Sequence, residues 1–208
     1  MKIIRIEIAL GDHSIMVSQH QYLKSVLQKE RIDHANPVGM PLDPNVMLKP
    51  NPDGSQRDQS NLYARLIGEL QFITNATRPD ITHAVSKLSF YMANPMLQHV
   101  SALKQVLRYL SGTKTYRITY SDILDHPNQF FRYTNTMFAN TNKHKSTTRY
   151  VFKMARGAVT WYSKKKSIIA LSSTEAEYIT LLEAAWKACW LRTLLKELGF
   201  TQALPTMI

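Results

Sequence analysis

Five prolines, Pro37, Pro41, Pro44, Pro50 and Pro52, fall in a stretch from residue 36 to residue 60 that is otherwise rich in Asn, Asp, Gly and Ser. Proline fixes φ and donates no backbone N–H, so neither a helix interior nor a central strand can run through that spacing. The stretch reads as an extended connector, and regular structure must form separately on either side. Before it, Ile4, Ile6 and Ile8 alternate with Arg5 and Glu7, the pattern of a half-buried strand. Gly11-Asp12-His13 reads as a turn, Ser14 to Val17 as a returning strand, and Gln21 to Glu30 as a helix carrying Leu23, Val26 and Leu27.

After the connector the apolar period becomes helical. Leu62, Leu66, Leu70 and Ile73 line one face of Asn61 to Ala76. Pro79 suits the first position of the next helix, where its missing N–H costs nothing. Ile81, Val85, Leu88 and Met92 continue that helix until Asn94-Pro95 stops it, and Val100 to Leu110 forms a third, closed by Ser111-Gly112. Residues 61 to 112 therefore read as a three-helix unit. Arg117 to Tyr120, Gln129 to Tyr133, Arg149 to Met154 and Ala158 to Tyr162 read as strands, the last two joined as a hairpin around Gly157. Asp122 to Asn128 is a polar link and marks a domain boundary. Glu175 to Leu198 is a long helical pattern with a break expected near Ala185, ended by Gly199 as a C-cap. The class predicted is α/β in an α+β arrangement: a helical region, then a mixed sheet with helices.

At 208 residues and 44% hydrophobic, the chain can bury a core. Its 26 Lys and Arg against 15 acids leave +11, which attracts polyanions, nucleic acid being the commonest, although a basic surface also serves solubility. Residues 140 to 208 hold eleven cations against four acids. Within them, Lys164-Lys165-Lys166 follows Trp161-Tyr162-Ser163, an aromatic and basic run suited to a phosphate backbone. Trp161, Lys164, Lys165 and Lys166 are thus the candidate nucleic-acid-binding residues; a solvated loop or a weak nuclear import signal would read the same way. Cys189, the single cysteine, excludes an internal disulfide and reads as a packed thiol. No stretch reaches the ~18 apolar residues of a spanning helix, so no membrane partner is expected. Charges at Lys2, Arg5 and Glu7 leave no signal-peptide pattern. The seven histidines show no ligand spacing with cysteine, so no zinc site is expected, and Asn75-Ala76-Thr77 matches a glycosylation sequon by chance.

Three long strings carry a resemblance. "YARLIGELQFITNATRPDITHAVSKLSFYMANP" at 63–95 and "HVSALKQVLRYLSGT" at 99–113 resemble the segments that follow the polymerase palm in copia-type retrotransposon reverse transcriptases. "KSTTRYVFKMARGAVTWYSKKKSIIALSSTEAEYITLLEAAWKACWLRTLLKELGF" at 145–200 resembles the ribonuclease H domain of the same elements, and "IIRIEIALGDHSIMVSQHQYLKSVL" resembles the strands and helix before the connector. The resemblance implies a palm-end, thumb and connection-like region over 1–120 and a truncated ribonuclease H-like domain over 128–208, with an unpaired sheet edge open to self-association.

It also implies where chemistry should sit. Polymerisation in this family needs a Tyr-x-Asp-Asp turn that holds two magnesium ions, and no Asp-Asp pair occurs here. The family's first ribonuclease H aspartate lies in a pattern like Tyr-Ser-Asp-x-Asp-Trp-Ala, which here reads Tyr133-Thr134-Asn135-Thr136-Met137-Phe138-Ala139. Asn135 and Met137 stand where acids should be, and an amide offers one neutral oxygen where magnesium wants charge. Glu177, in "STEAEY", matches the family's glutamate, and Glu175 is its acidic neighbour; the next aspartate would lie past Ile208. Asn135 and Glu177 are therefore vestigial positions, with the ancestral magnesium site lost, no cofactor and no enzyme activity expected.

The chain is also similar to a copia-like member of the secreted RxLR effectors of oomycetes, a class that damps host defence or cell death from the host cytoplasm and nucleus. No Arg-x-Leu-Arg string is present; Arg192-Thr193-Leu194-Leu195 is the nearest. Three roles follow: a non-catalytic effector with a host protein partner, a sequence-nonspecific RNA- or DNA-binding remnant, and an inert transposon relic that stays inside the cell.

Overall fold

A computed structural model describes residues 1–51, 60–122, 130–137, 146–166, 172–202 and 206; the side chains of residues 60, 132 and 135–137 lie outside that description. Connector residues 52–59, the Asp122–Asn128 link beyond residue 122, Gln129, Phe138, Ala139, Lys143 and Lys145 lie outside it too. The chain divides into two compact units, one of Met1–Ala9 with Met16–Ile118, the other of Leu10–Ile15 with Thr119–Ile208. The described elements form a mixed α/β fold.

The chain begins as β1 (Lys2–Ile3), β2 (Ile6–Gly11), β3 (Ser14–Ser18) and α1 (His20–Lys29). The expected strand through Ile4, Ile6 and Ile8 is interrupted. Ile3 pairs with Ile6 and Lys2 with Glu7, so Ile4 and Arg5 form a two-residue turn with φ of 47° and 63°. A period of two cannot register a reversal of direction, and Ile4 is left 77% exposed. Together with β4 (Ile118–Ser121) these strands form a sheet in the order β1-β2-β3-β4.

Three further helices build the first unit: α2 (Ser60–Ala76), α3 (Thr82–Ser89) and α4 (Leu97–Gly112). Pro79–Ile81 forms a separate 3-10 turn ahead of α3, and Met92 lies past its end. Leu66, Leu70, Ile73, Ile81, Val85, Leu88, Leu103 and Leu107 are all buried in one core with Leu23 and Leu27 of α1. At roughly 1.5–3 kcal/mol for each large side chain, this burial is what holds the helices. Tyr63 enters the same core by donating its hydroxyl to the Leu88 carbonyl at 2.9 Å, and burial raises its pKa.

The described connector, 36–51, has no helix or strand, as its prolines require. Its carbonyls are met by side chains of α4: Arg108 Nε donates to Asn36 O at 2.7 Å, Gln105 Nε2 to Met40 O at 3.3 Å, and Gln98 Nε2 to Lys49 O at 3.1 Å. Gly112 permits the approach, because a Cβ there would stand 2.7 Å from the Pro37 Cβ. In the string Thr77-Arg78-Pro79-Asp80, Thr77 and Arg78 are buried and Asp80 stands at the surface, the four forming a knot. The Arg78 guanidinium bonds Asp80 and Thr113 and lies over the rings of Tyr109 and Tyr116.

The second unit holds β5 (Phe131–Met137), β6 (Thr147–Met154), β7 (Gly157–Lys165) and α5 (Ser173–Glu197). The strands run antiparallel in the order β5-β6-β7. The hairpin joining β6 and β7 turns at Ala155 and Arg156, both left-handed at φ 50° and 66°, while Met154 pairs with Gly157. Gly157 serves packing: a Cβ there would lie 2.4 Å from the Tyr120 ring. α5 is continuous over 25 residues, with no break at Ala185. Ala176, Ala184 and Ala188 are strong helix formers, and their small side chains let the helix lie close to the sheet. Gly199, at φ 86°, ends it in a Schellman turn, with Phe200 N donating to Leu195 O at 2.8 Å and Gly199 N to Lys196 O at 3.1 Å.

Candidate nucleic-acid interface

The two faces of the β5-β6-β7 sheet are distinct. Phe152 and Phe130 are buried under Ala184, Ala188, Leu191 and Leu195 of α5, with Tyr150 and Met154 beside them. Thr148 Oγ1 lies 3.4 Å from Thr180 Oγ1 of the helix. Even-numbered residues of β6 therefore face α5, and side chains alternate along a strand, so Arg149, Val151 and Lys153 take the other face. Val151 lies opposite Tyr133 on one side and Trp161 on the other, making a row across the three strands. Lys153 Nζ sits 5.2 Å from the centroid of the Tyr133 ring, within cation–π range. Lys165, paired with Thr147, belongs to the same face.

The lysine run expected to act together is split three ways. Lys164 pairs with Thr148, on the α5 side of the sheet, and is exposed. Lys165 and Trp161 share the opposite face and are half-buried. Lys166 is buried, its Nζ donating to the Ala176 carbonyl at 2.6 Å, and its backbone N–H donates to Ser146 O at 2.8 Å. Burial pulls its pKa down, opposed by Glu183 and Glu175. Lys166 thus ties the end of β7 to the first turn of α5 and presents nothing to a phosphate. A strand alternates, and its last residue enters a helix junction, so three adjacent lysines cannot point the same way.

The run also hid better candidates. Tyr133 is 60% exposed and Phe131 44% exposed, and both stand on the Lys153 face. Their signal was in the sequence as alternation, Phe131 and Tyr133 on one strand against Arg149, Val151 and Lys153 on the next. Ser163 on this face is buried beside Arg149, whose pKa burial lowers, so the open surface is the part from Phe131 and Tyr133 past Lys153 to Trp161.

The two positions expected to be vestigial are placed separately. Asn135 pairs in register with Arg149, so a cation-bearing residue neighbours the position matched to the family's first aspartate. Glu177 is exposed in the first turns of α5, next to buried Ala176. Ser172 caps that helix, accepting from the Glu175 N–H at 3.0 Å. Cys189, read from its neighbours as a packed thiol, is exposed, because α5 buries only the stripe through Ala184 and Ala188.

No family model matches the chain, and no solved structure matches it. Curated relatives do. The chain is 34% identical to the Retrovirus-related Pol polyprotein from transposon TNT 1-94 of Nicotiana tabacum over 97% of its own length, and 32% identical to that from transposon RE1 of Arabidopsis thaliana over 92%. It spans only 15% and 13% of those polyproteins. It is also 38% identical to Secreted RxLR effector protein 161 of Plasmopara viticola, over 62% of the chain and 90% of the effector.

Proposed function

The chain belongs to the copia-type transposon Pol family, and from that membership we propose that it is a non-catalytic, Pol-derived protein that holds nucleic acid on the open face of its β5-β6-β7 sheet. The observation that carries this reading is Lys153 over the Tyr133 ring, in a row that ends on Trp161. An aromatic face supplies stacking to any base, worth about 1–3 kcal/mol per base, and flanking cations supply phosphate contacts, so recognition is sequence-nonspecific. Asn135 in register with Arg149 supports the non-catalytic half: a neutral residue paired with a cationic one disfavours a divalent cation. Fluorescence anisotropy with single-stranded DNA and with an RNA–DNA hybrid tests the reading. Affinity should fall steeply with added salt and ignore base sequence, and affinity that is flat in salt would count against it. Asn135→Asp should leave hybrid hydrolysis in magnesium at background, since one added carboxylate does not make a two-metal clamp.

A second reading rests on the likeness to the Plasmopara viticola effector, which the chain matches over nearly that protein's whole length. On it, the same scaffold acts inside a host cell as a secreted effector. Export of a tagged chain is the test, and retention in the producing cell would remove this reading while leaving the first untouched.

A further inference from the structure

The side of α5 turned away from the sheet carries Glu175, Tyr178, Leu182, Trp186, Cys189 and Lys196 at steps of three and four residues, with Thr193 completing the stripe. It lies opposite the residues the helix buries, Ala176, Thr180, Ala184 and Ala188. Tyr178 is 68% exposed, Leu182 50% and Trp186 68%. Large apolar side chains stacked on one helix face are a seam for another helix, unlike the scattered single exposures of an ordinary surface.

The ends of the stripe say what covers it. One end is acidic at Glu175 and the other basic at Lys196. We infer that this face pairs with the same face of a second copy of the chain, the two helices antiparallel. With the two-fold axis between Ala185 and Trp186, residues equally distant from that point meet. Glu175 meets Lys196 of the other copy, Tyr178 meets Thr193, Leu182 meets Cys189, and the two Trp186 rings cross the axis beside Ala185. Both ends of the seam, about 32 Å apart, then carry an opposite-charge pair. A parallel pairing would set Glu175 on Glu175 and Lys196 on Lys196, so the charge pattern selects the antiparallel one. The interface is isologous, the commonest form of homodimer.

Sedimentation of the full chain across a wide concentration range tests this. A monomer–dimer equilibrium is expected, and Trp186→Glu should abolish it while the far-UV circular dichroism stays helical. Should that variant lose its helical signal, Leu182→Gln carries the same test with a smaller change. Glu175→Lys and Lys196→Glu should each weaken dimerisation by roughly tenfold, because each breaks both symmetric ion pairs, and the double variant should restore it. A chain monomeric at every concentration overturns the inference. So does a dimer that resists Trp186→Glu, which would move association to a sheet edge, or a double variant no tighter than the single ones.

Discussion

The Arg78 guanidinium donates twice to Thr113, 35 residues away along the chain: Nη1 to its carbonyl at 3.0 Å and Nη2 to its hydroxyl at 2.6 Å. Nε and Nη2 also reach the Asp80 carboxylate at 2.9 and 2.7 Å, and Tyr109 donates its hydroxyl to the same carboxylate at 3.0 Å. The Arg78 side chain is 3% exposed. Lysine cannot reproduce this fork, so Arg78→Lys should lower the stability of the first unit by about 2–4 kcal/mol, read by urea denaturation. A loss as small as that of an ordinary surface substitution would contradict the role given to this knot.

Lys164 and Lys166 should behave as different residues. Lys166→Ala removes a charge-assisted hydrogen bond to the Ala176 carbonyl, which keeps the Thr180 hydroxyl as a donor, costing about 1.5–3 kcal/mol of stability. Lys164→Ala should leave the thermal midpoint in place and weaken nucleic-acid binding only slightly. Thermal denaturation and anisotropy on the same two proteins separate these effects.

The turn at Ala155 and Arg156 holds two left-handed residues where Asn-Gly is the favoured pair. Ala155→Asn with Arg156→Gly should therefore stabilise the second unit by about 1–2 kcal/mol. A fall in stability, measured by chemical denaturation, would show that the hairpin turns elsewhere.

His99 is buried, stacks on Tyr91 with centroids 3.9 Å apart, and accepts the Met96 N–H at its Nδ1 at 2.8 Å. Burial lowers its pKa, with a backbone hydrogen bond at Lys49 opposing. The unfolded chain therefore takes up a proton near the ordinary histidine value of about 6.5, while the folded chain resists it. Stability from this group is complete above that pH and declines as the pH falls below it. A pH series of unfolding free energies should show that decline, and His99→Gln should flatten it.

Much of this fold was legible because it rests on local periods. The spacing of Leu66, Leu70 and Ile73 marks α2, and the connector's prolines forbid regular structure on their own. What escaped reading includes the residues at which two tight turns reverse the chain. The Ile4-Arg5 turn hides inside an alternation that is apolar in the right places, and Ala155-Arg156 lacks the glycine that signals such a turn. The face proposed to bind nucleic acid was half legible. Trp161 and Lys165 could be named from their own strand, but Lys153 over Tyr133 requires the register between β5 and β6, which no single strand encodes. Lys166 looked like its neighbours because burial at a strand–helix junction leaves no mark in a lysine triplet.

The salt dependence of binding by Lys153→Ala, compared with the unaltered chain on the same single-stranded DNA, tests the central claim most directly. If Lys153 meets a phosphate, the slope of log affinity against log salt should become shallower by about 0.7, the value for one phosphate left without its lysine on a single strand, with folding unchanged. A slope identical to that of the unaltered chain would contradict the assignment of this face.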